Sequence, residues 1–160
     1  MLTVSDRCAA GLATDLGGPA VAAAAEALLG AEVSERSVVK DDRTAIGARI
    51  RSLALRADLV LTTGGTGIAE RDVTPEATRD VVEVEIPGLG EEMRRRCADA
   101  IPRAVLSRAT AGALGGTVVV NLPGKPSGAV ECLECVAGVL AHAVELRRRP
   151  GEDVHAGETP

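Results

Sequence analysis

Short apolar runs and segments of helical periodicity alternate from one end of this chain to the other, and no other feature of the sequence restricts its fold so tightly. A strand that feeds a helix and then another strand returns parallel to itself, so the pattern predicts an α/β fold with a largely parallel sheet. Strands are expected at Leu2 to Val4, Ala31 to Val39, Leu59 to Leu61, Val105 to Ser107 and Thr117 to Leu122, the last two set around a Gly-rich turn at Gly112, Gly115 and Gly116. An Ala-rich helix should open at Pro19 and run to about Leu29. Another should follow Asp42 and bury Ile46, Ile50, Leu53 and Ala54, which recur at helical spacing. Thr74-Pro75-Glu76 reads as a capped helix start, with Pro in the first turn and an acid at the positive end of the dipole. Further helices are expected from about Leu89 to Ala98 and, after a tight loop over Pro123 to Ser127, on to about Leu146.

At 160 residues the chain is the size of one domain, able to bury roughly 70% of the surface it exposes when unfolded. A domain is expected over residues 1–149, followed by a polar, disordered tail over 150–160. The sequence contains no Phe, Tyr or Trp, so Val, Leu, Ile and Ala must fill the core and no aromatic platform can stack a base. A net charge of −5 argues against nucleic acid as a partner. No apolar stretch approaches the ~18 residues of a membrane span and no basic-then-apolar leader opens the chain, which predicts a cytoplasmic protein. Cys132 and Cys135 form a C-x-x-C inside an apolar periodic run and lack two further ligands, so they read as reduced core thiols rather than a zinc site.

In a parallel sheet, ligands bind beyond the carboxyl ends of the strands. Three loops fall there: Ser5 to Gly18, Thr62 to Asp72 and Pro123 to Ser127. The second carries Thr62-Thr63-Gly64-Gly65-Thr66-Gly67, whose glycines let backbone N–H groups converge on an anion while the Thr hydroxyls add donors. It is either a phosphate cradle or a tight turn. It is neither a Walker loop, lacking Gly-Lys-Ser/Thr, nor a dinucleotide fingerprint, with Glu70 where a third Gly would stand. Asp72 precedes the Thr74 cap and is free to face the loop mouth. Of Asp41 and Asp42, one should cap the next helix. Carboxylates beside such a loop suit Mg²⁺ shared between protein oxygens and substrate phosphates. Neither His142 nor His155 makes a convincing catalyst.

Thr3-Val4-Ser5-Asp6-Arg7, Asp41-Asp42, the block from Leu61 to Pro75 (LTTGGTGIAERDVTP), Ile86-Pro87-Gly88, Ser107-Arg108 and Asn121 to Pro126 (NLPGKP) occur in the order seen in a known family. The chain resembles the MogA/MoaB-type molybdopterin-binding proteins of molybdenum cofactor biosynthesis, to which the N-terminal domain of gephyrin is also similar. The resemblance spans about Leu2 to Leu146. It implies a three-layer α/β/α sandwich with a mostly parallel sheet, a homotrimer or hexamer, and Mg²⁺-dependent transfer of AMP from ATP to molybdopterin with release of pyrophosphate. Other cofactor-biosynthesis proteins are implied as partners. It assigns Asp41 and Asp72 to catalysis and Mg²⁺. Phosphate and molybdopterin contacts fall to Ser5, Asp6, Thr63, Gly64, Gly65, Thr66, Gly67, Ser107, Pro123, Gly124, Lys125 and Ser127. A non-catalytic molybdopterin-binding protein of the same fold is the alternative. Two departures stand out: Met1 falls almost on the Ser-Asp-Arg motif, leaving a very short first strand, and Asp15-Leu16-Gly17-Gly18-Pro19 lacks the Ser that usually precedes Gly-Pro.

Overall fold

The computed structural model describes residues 1–148; the expected tail lies outside them. Six strands form one sheet in the order β2-β1-β3-β6-β5-β4, with β1 at Leu2–Val4, β2 at Ser37–Val39, β3 at Leu59–Thr63, β4 at Val84–Glu85, β5 at Ala111–Leu114 and β6 at Thr117–Leu122. The pairs β2/β1, β1/β3 and β3/β6 are parallel. Strand β5 runs antiparallel to both its neighbours. The α/β fold with a largely parallel sheet expected from the alternating pattern is therefore present, with one reversed strand, and it takes the sandwich form that the resemblance implies.

Helices cover both faces, and the side chains of β6 show how. Val118, Val120 and Leu122 point to one side, where they join Val21 and Ala25 of α2 (Gly17–Leu29), Leu89 and Met93 of α5 (Pro87–Ala98), and Leu133, Val136 and Leu140 of α6 (Pro126–Arg148). Val119 points to the other, with Ile46, Ile50 and Leu53 of α3 (Arg43–Ala54) and Ala77 of α4 (Thr74–Arg79). Alternation along a strand covered on both faces requires this division. Each fully buried Leu or Ile contributes about 1.5–3 kcal/mol, and aliphatic side chains with Met93 fill the space that aromatics take elsewhere.

Several local expectations are corrected. Val105 to Ser107 is not a strand: Pro102–Leu106 forms a 3₁₀ turn, and Val105 and Leu106 are more than half exposed, so no buried face holds them in a sheet. Gly112 lies inside β5 rather than in a turn, because a Cβ there would meet Val84 O and the Val82 side chain at 2.7–2.8 Å. Only Ser37–Val39 of the proposed 31–39 strand pairs. A short helix, α1 (Asp6–Ala9), interrupts the first polar loop, and α2 begins at Gly17, two residues before Pro19. Helix α6 starts at Pro126, inside the loop expected over Pro123 to Ser127.

The three free thiols on α5 and α6 gather at the seam between those helices, with Cys97 Sγ 3.6 Å from Cys132 Sγ and 3.9 Å from Cys135 Sγ. Burial, with Cys97 alongside, pushes the Cys132 and Cys135 thiols up, the latter to about 11. They stay protonated at neutral pH, and neither these thiols nor any other group of three or more His, Cys, Asp or Glu among the described residues is arranged to hold a metal ion. Nor is any described helix long and apolar enough to cross a membrane.

Candidate active site

The order β2-β1-β3 places a switch point between β1 and β3, since the chain leaves β1 toward one edge and β3 toward the other. A crevice opens at such a point beyond the carboxyl ends of the strands. Here it is a cavity of about 340 Å³ walled by the segments after β1 and β3, by Asp41 after β2, and by Gly124 and Pro126 after β6.

Gly64 and Gly65 make the approach of these segments possible. Both have positive φ, 105° and 63°. A Cβ on Gly64 would overlap the carbonyl oxygen of Val4, and one on Gly65 would run into Thr74 Oγ1 and come within 3.1 Å of Asp41 Oδ1. The β3 loop thus crosses directly over the end of β1. It is anchored by Gly64 N–H donating to Leu122 O at 3.1 Å and Thr74 N–H to Gly65 O at 3.1 Å, and by Thr63 Oγ1 donating to Pro123 O at 2.7 Å. Thr74 is not the cap that its sequence context predicts: Val73 precedes the helix without a side-chain cap, and the buried Thr74 hydroxyl donates to Gly64 O at 2.9 Å. By contrast, the N–H groups of Gly65, Thr66, Gly67 and Ile68 donate to no protein acceptor among the described residues.

Two of the four acidic positions are settled by geometry. Asp42 caps α3, accepting from Ala45 N–H at 2.8 Å, which leaves Asp41 to the cavity. Asp41 Oδ2 accepts from Asp6 N–H at 2.9 Å and its own N–H donates to Asp6 Oδ1 at 3.0 Å. Burial raises the pKa of Asp41 above its ordinary value, and the charges of Asp6 and Asp72 add to this, against the Asp6 N–H and Arg71, which lower it. Asp72 faces the same cavity; its Oδ2 accepts from Ala69 N–H at 2.9 Å. Oδ1 of Asp41 and of Asp72 accepts no hydrogen bond from the described residues.

Ser5, Asp6, Asp41, Thr63, Gly64, Gly65, Asp72 and Gly124 line the cavity. Thr66 is buried beneath the loop, and Gly67 lies against Asp72. Pro123, Lys125 and Ser127 do not line it, although their neighbours Gly124 and Pro126 do, and the last two are exposed. Ser107 stands apart, its hydroxyl accepting from Ala109 N–H at 3.3 Å. Ser5 does not reach freely into the cavity, because its hydroxyl caps α1 by accepting from Cys8 N–H at 3.3 Å.

Sequence reasoning overlooked Asp15 and Arg71, which also line the cavity. Asp15 bridges Thr3 Oγ1 at 2.8 Å and Gly18 N–H at 2.9 Å, so its carboxylate ties the start of α2 to β1. The only available signal was its position two residues before Gly17-Gly18-Pro19. A larger hollow of about 550 Å³ opens at the amino ends of the strands, but its walls are mainly aliphatic, and the Glu35 carboxylate near it is already paired with Arg49 and Arg56.

The family model described as a probable molybdopterin binding domain matches residues 1–142. The molybdopterin adenylyltransferase of Helicobacter pylori (strain J99) is 40% identical over 149 residues, covering 91% of this chain and 85% of its own. That of Escherichia coli (strain K12) is 36% identical, with 90% and 77% covered. Among solved structures, the molybdopterin biosynthesis enzyme MoaB from Thermus thermophilus is 43% identical, covers 94% of this chain and 96% of its own, and superposes with a TM-score of 0.83.

Proposed function

This chain belongs to the molybdopterin-binding domain family, and on that premise we propose that it is a molybdopterin adenylyltransferase of molybdenum cofactor biosynthesis, joining AMP from ATP to the terminal phosphate of molybdopterin. The observation that carries this reading is the meeting of Gly65, whose N–H has no protein acceptor among the described residues, with the carboxylates of Asp41 and Asp72 at one crevice, where the loop continues into three further unpartnered amides, Thr66 to Ile68. The amides suit phosphate oxygens. An oxygen of the molybdopterin phosphate attacks the α-phosphorus of ATP, a new P–O–P link forms, and the bond to the β-phosphate breaks as pyrophosphate leaves. The attacking oxygen is already anionic, so the protein needs no strong base and works through positioning and charge neutralisation.

Asp41 and Asp72 fit Mg²⁺. Each keeps one oxygen without a protein donor, and the charges that raise the pKa of Asp41 are those a cation would relieve. Two carboxylates leave coordination positions for water and phosphate, as Mg²⁺ prefers. When bound, the ion neutralises charge on the ATP phosphates. Asp6 holds Asp41 in place, and Ser5, Thr63, Pro123, Gly124, Lys125 and Ser127 surround the ligands, whereas Ser107, which stands apart from the cavity, does not contact them. We assign the enzyme to the cytoplasm as a homotrimer or a dimer of trimers, with exposed Leu12, Leu16 and Ile68 available to contacts between copies.

Asp72→Asn tests the reading, because it keeps the shape and removes the charge. Turnover should fall by orders of magnitude, an electrostatic loss of about 3 kcal/mol or more, while folding and molybdopterin binding persist. Near-normal turnover in this variant would remove Asp72 from the mechanism. Absence of ATP-dependent pyrophosphate release from the parent protein, with molybdopterin still bound, would make the chain a binding protein instead.

A further inference from the structure

Arg108 lies outside the cavity wall, yet it grips the β3 loop from behind. Its N–H donates to Thr66 O at 2.8 Å, and its Nε donates to Gly67 O at 2.7 Å. Nη2 donates to Asp72 O, and Nη1 pairs with Glu76 Oε1. The segment that carries Arg108 is itself pinned to α5, where Arg94 Nη1 donates to Ser107 O at 3.2 Å and Ala109 O at 2.9 Å.

The planarity of the peptide bond gives this grip a consequence at the site. In a trans peptide the N–H of one residue points opposite to the C=O of the residue before it. Drawing the Thr66 carbonyl to the Arg108 main chain therefore turns the Gly67 N–H the other way, and drawing the Gly67 carbonyl to the Arg108 guanidinium does the same to the Ile68 N–H. These are two of the four loop amides without a protein acceptor. The same guanidinium fixes the main chain of Asp72, whose carboxylate faces the cavity. Glu76 sets the plane of the fork, and does so although its Oε2 is buried without a partner, a cost of the kind that functional sites retain.

We infer that Arg108, oriented by Glu76, is a positioning residue that aims the loop amides at a phosphate and holds Asp72 toward it. The inference rests on reading the loop as a phosphate site. Lysine cannot replace the fork, because one point charge on a flexible stem cannot serve Gly67, Asp72 and Glu76 in a single plane.

The experiment follows the ¹⁵N amide signals of Gly65, Thr66, Gly67 and Ile68 while inorganic pyrophosphate is added to the parent, Arg108→Lys and Glu76→Gln, with adenylyl transfer measured alongside. In the parent these signals should move. In Arg108→Lys pyrophosphate should bind about tenfold more weakly or worse, with a matching loss in kcat, and Glu76→Gln should shift both the same way by less. If the parent's loop amides respond and both variants titrate like the parent, the positioning role is overturned. If the parent's loop amides do not move at all, the phosphate reading fails and the inference with it. Should Arg108→Lys not fold, Glu76→Gln alone decides.

Discussion

Asp6 and Asp41 clasp each other's main chain: each carboxylate accepts the other's backbone N–H, at 2.9 and 3.0 Å. The clasp joins the ends of β1 and β2 and seats two like charges side by side at the mouth of the cavity. Ionising Asp41 there is costly until something positive arrives.

That cost has a sign that can be measured. The folded chain holds the Asp41 proton more tightly than the unfolded chain, so stability falls as pH rises from the ordinary carboxylate value through the raised one. Asp41→Asn, whose amide oxygen can still accept from Asp6, should melt at or above the parent's midpoint at pH 7. The two melting curves should converge as pH falls to about 4 and below. A parent clearly more stable than the variant at pH 7 would contradict the sign.

Two glycines should respond oppositely to alanine. Gly64→Ala must hold φ near 105° and drive a Cβ into the Val4 carbonyl, so denaturant titration should show a loss of about 2–4 kcal/mol. Gly138 lies inside α6, and a methyl group there would meet nothing within 4 Å. Gly138→Ala should add about 0.5–1 kcal/mol through helix propensity.

Light scattering on dilute protein should return three times the chain mass, or six. A single-chain mass would remove the proposed trimer, and the exposed Leu12, Leu16 and Ile68 would then need another explanation.

What the sequence disclosed was local. Asp42 could be suspected as a cap because capping involves only the next three residues, and the glycines of the β3 loop announced a backbone that bends where side chains cannot. The Thr62–Gly67 block and Asp72 were legible for that reason. Arg108 was not, because its value depends on the chain returning about forty residues later to lie behind the loop. The apolar Val105-Leu106 pair looked like a strand because periodicity cannot distinguish a buried pair from an exposed one. Thr74 looked like a cap because nothing nearby in sequence shows that its hydroxyl is spent on Gly64.

A core built from aliphatic side chains and Met93, in a chain without Trp, Tyr or Phe, leaves the protein transparent near 280 nm. Any absorption or circular dichroism that arises there on adding a pterin or an adenine nucleotide belongs to the ligand alone. The enzyme is thus a dark background on which occupancy of the crevice can be read directly, without a label and without subtracting the protein's own signal.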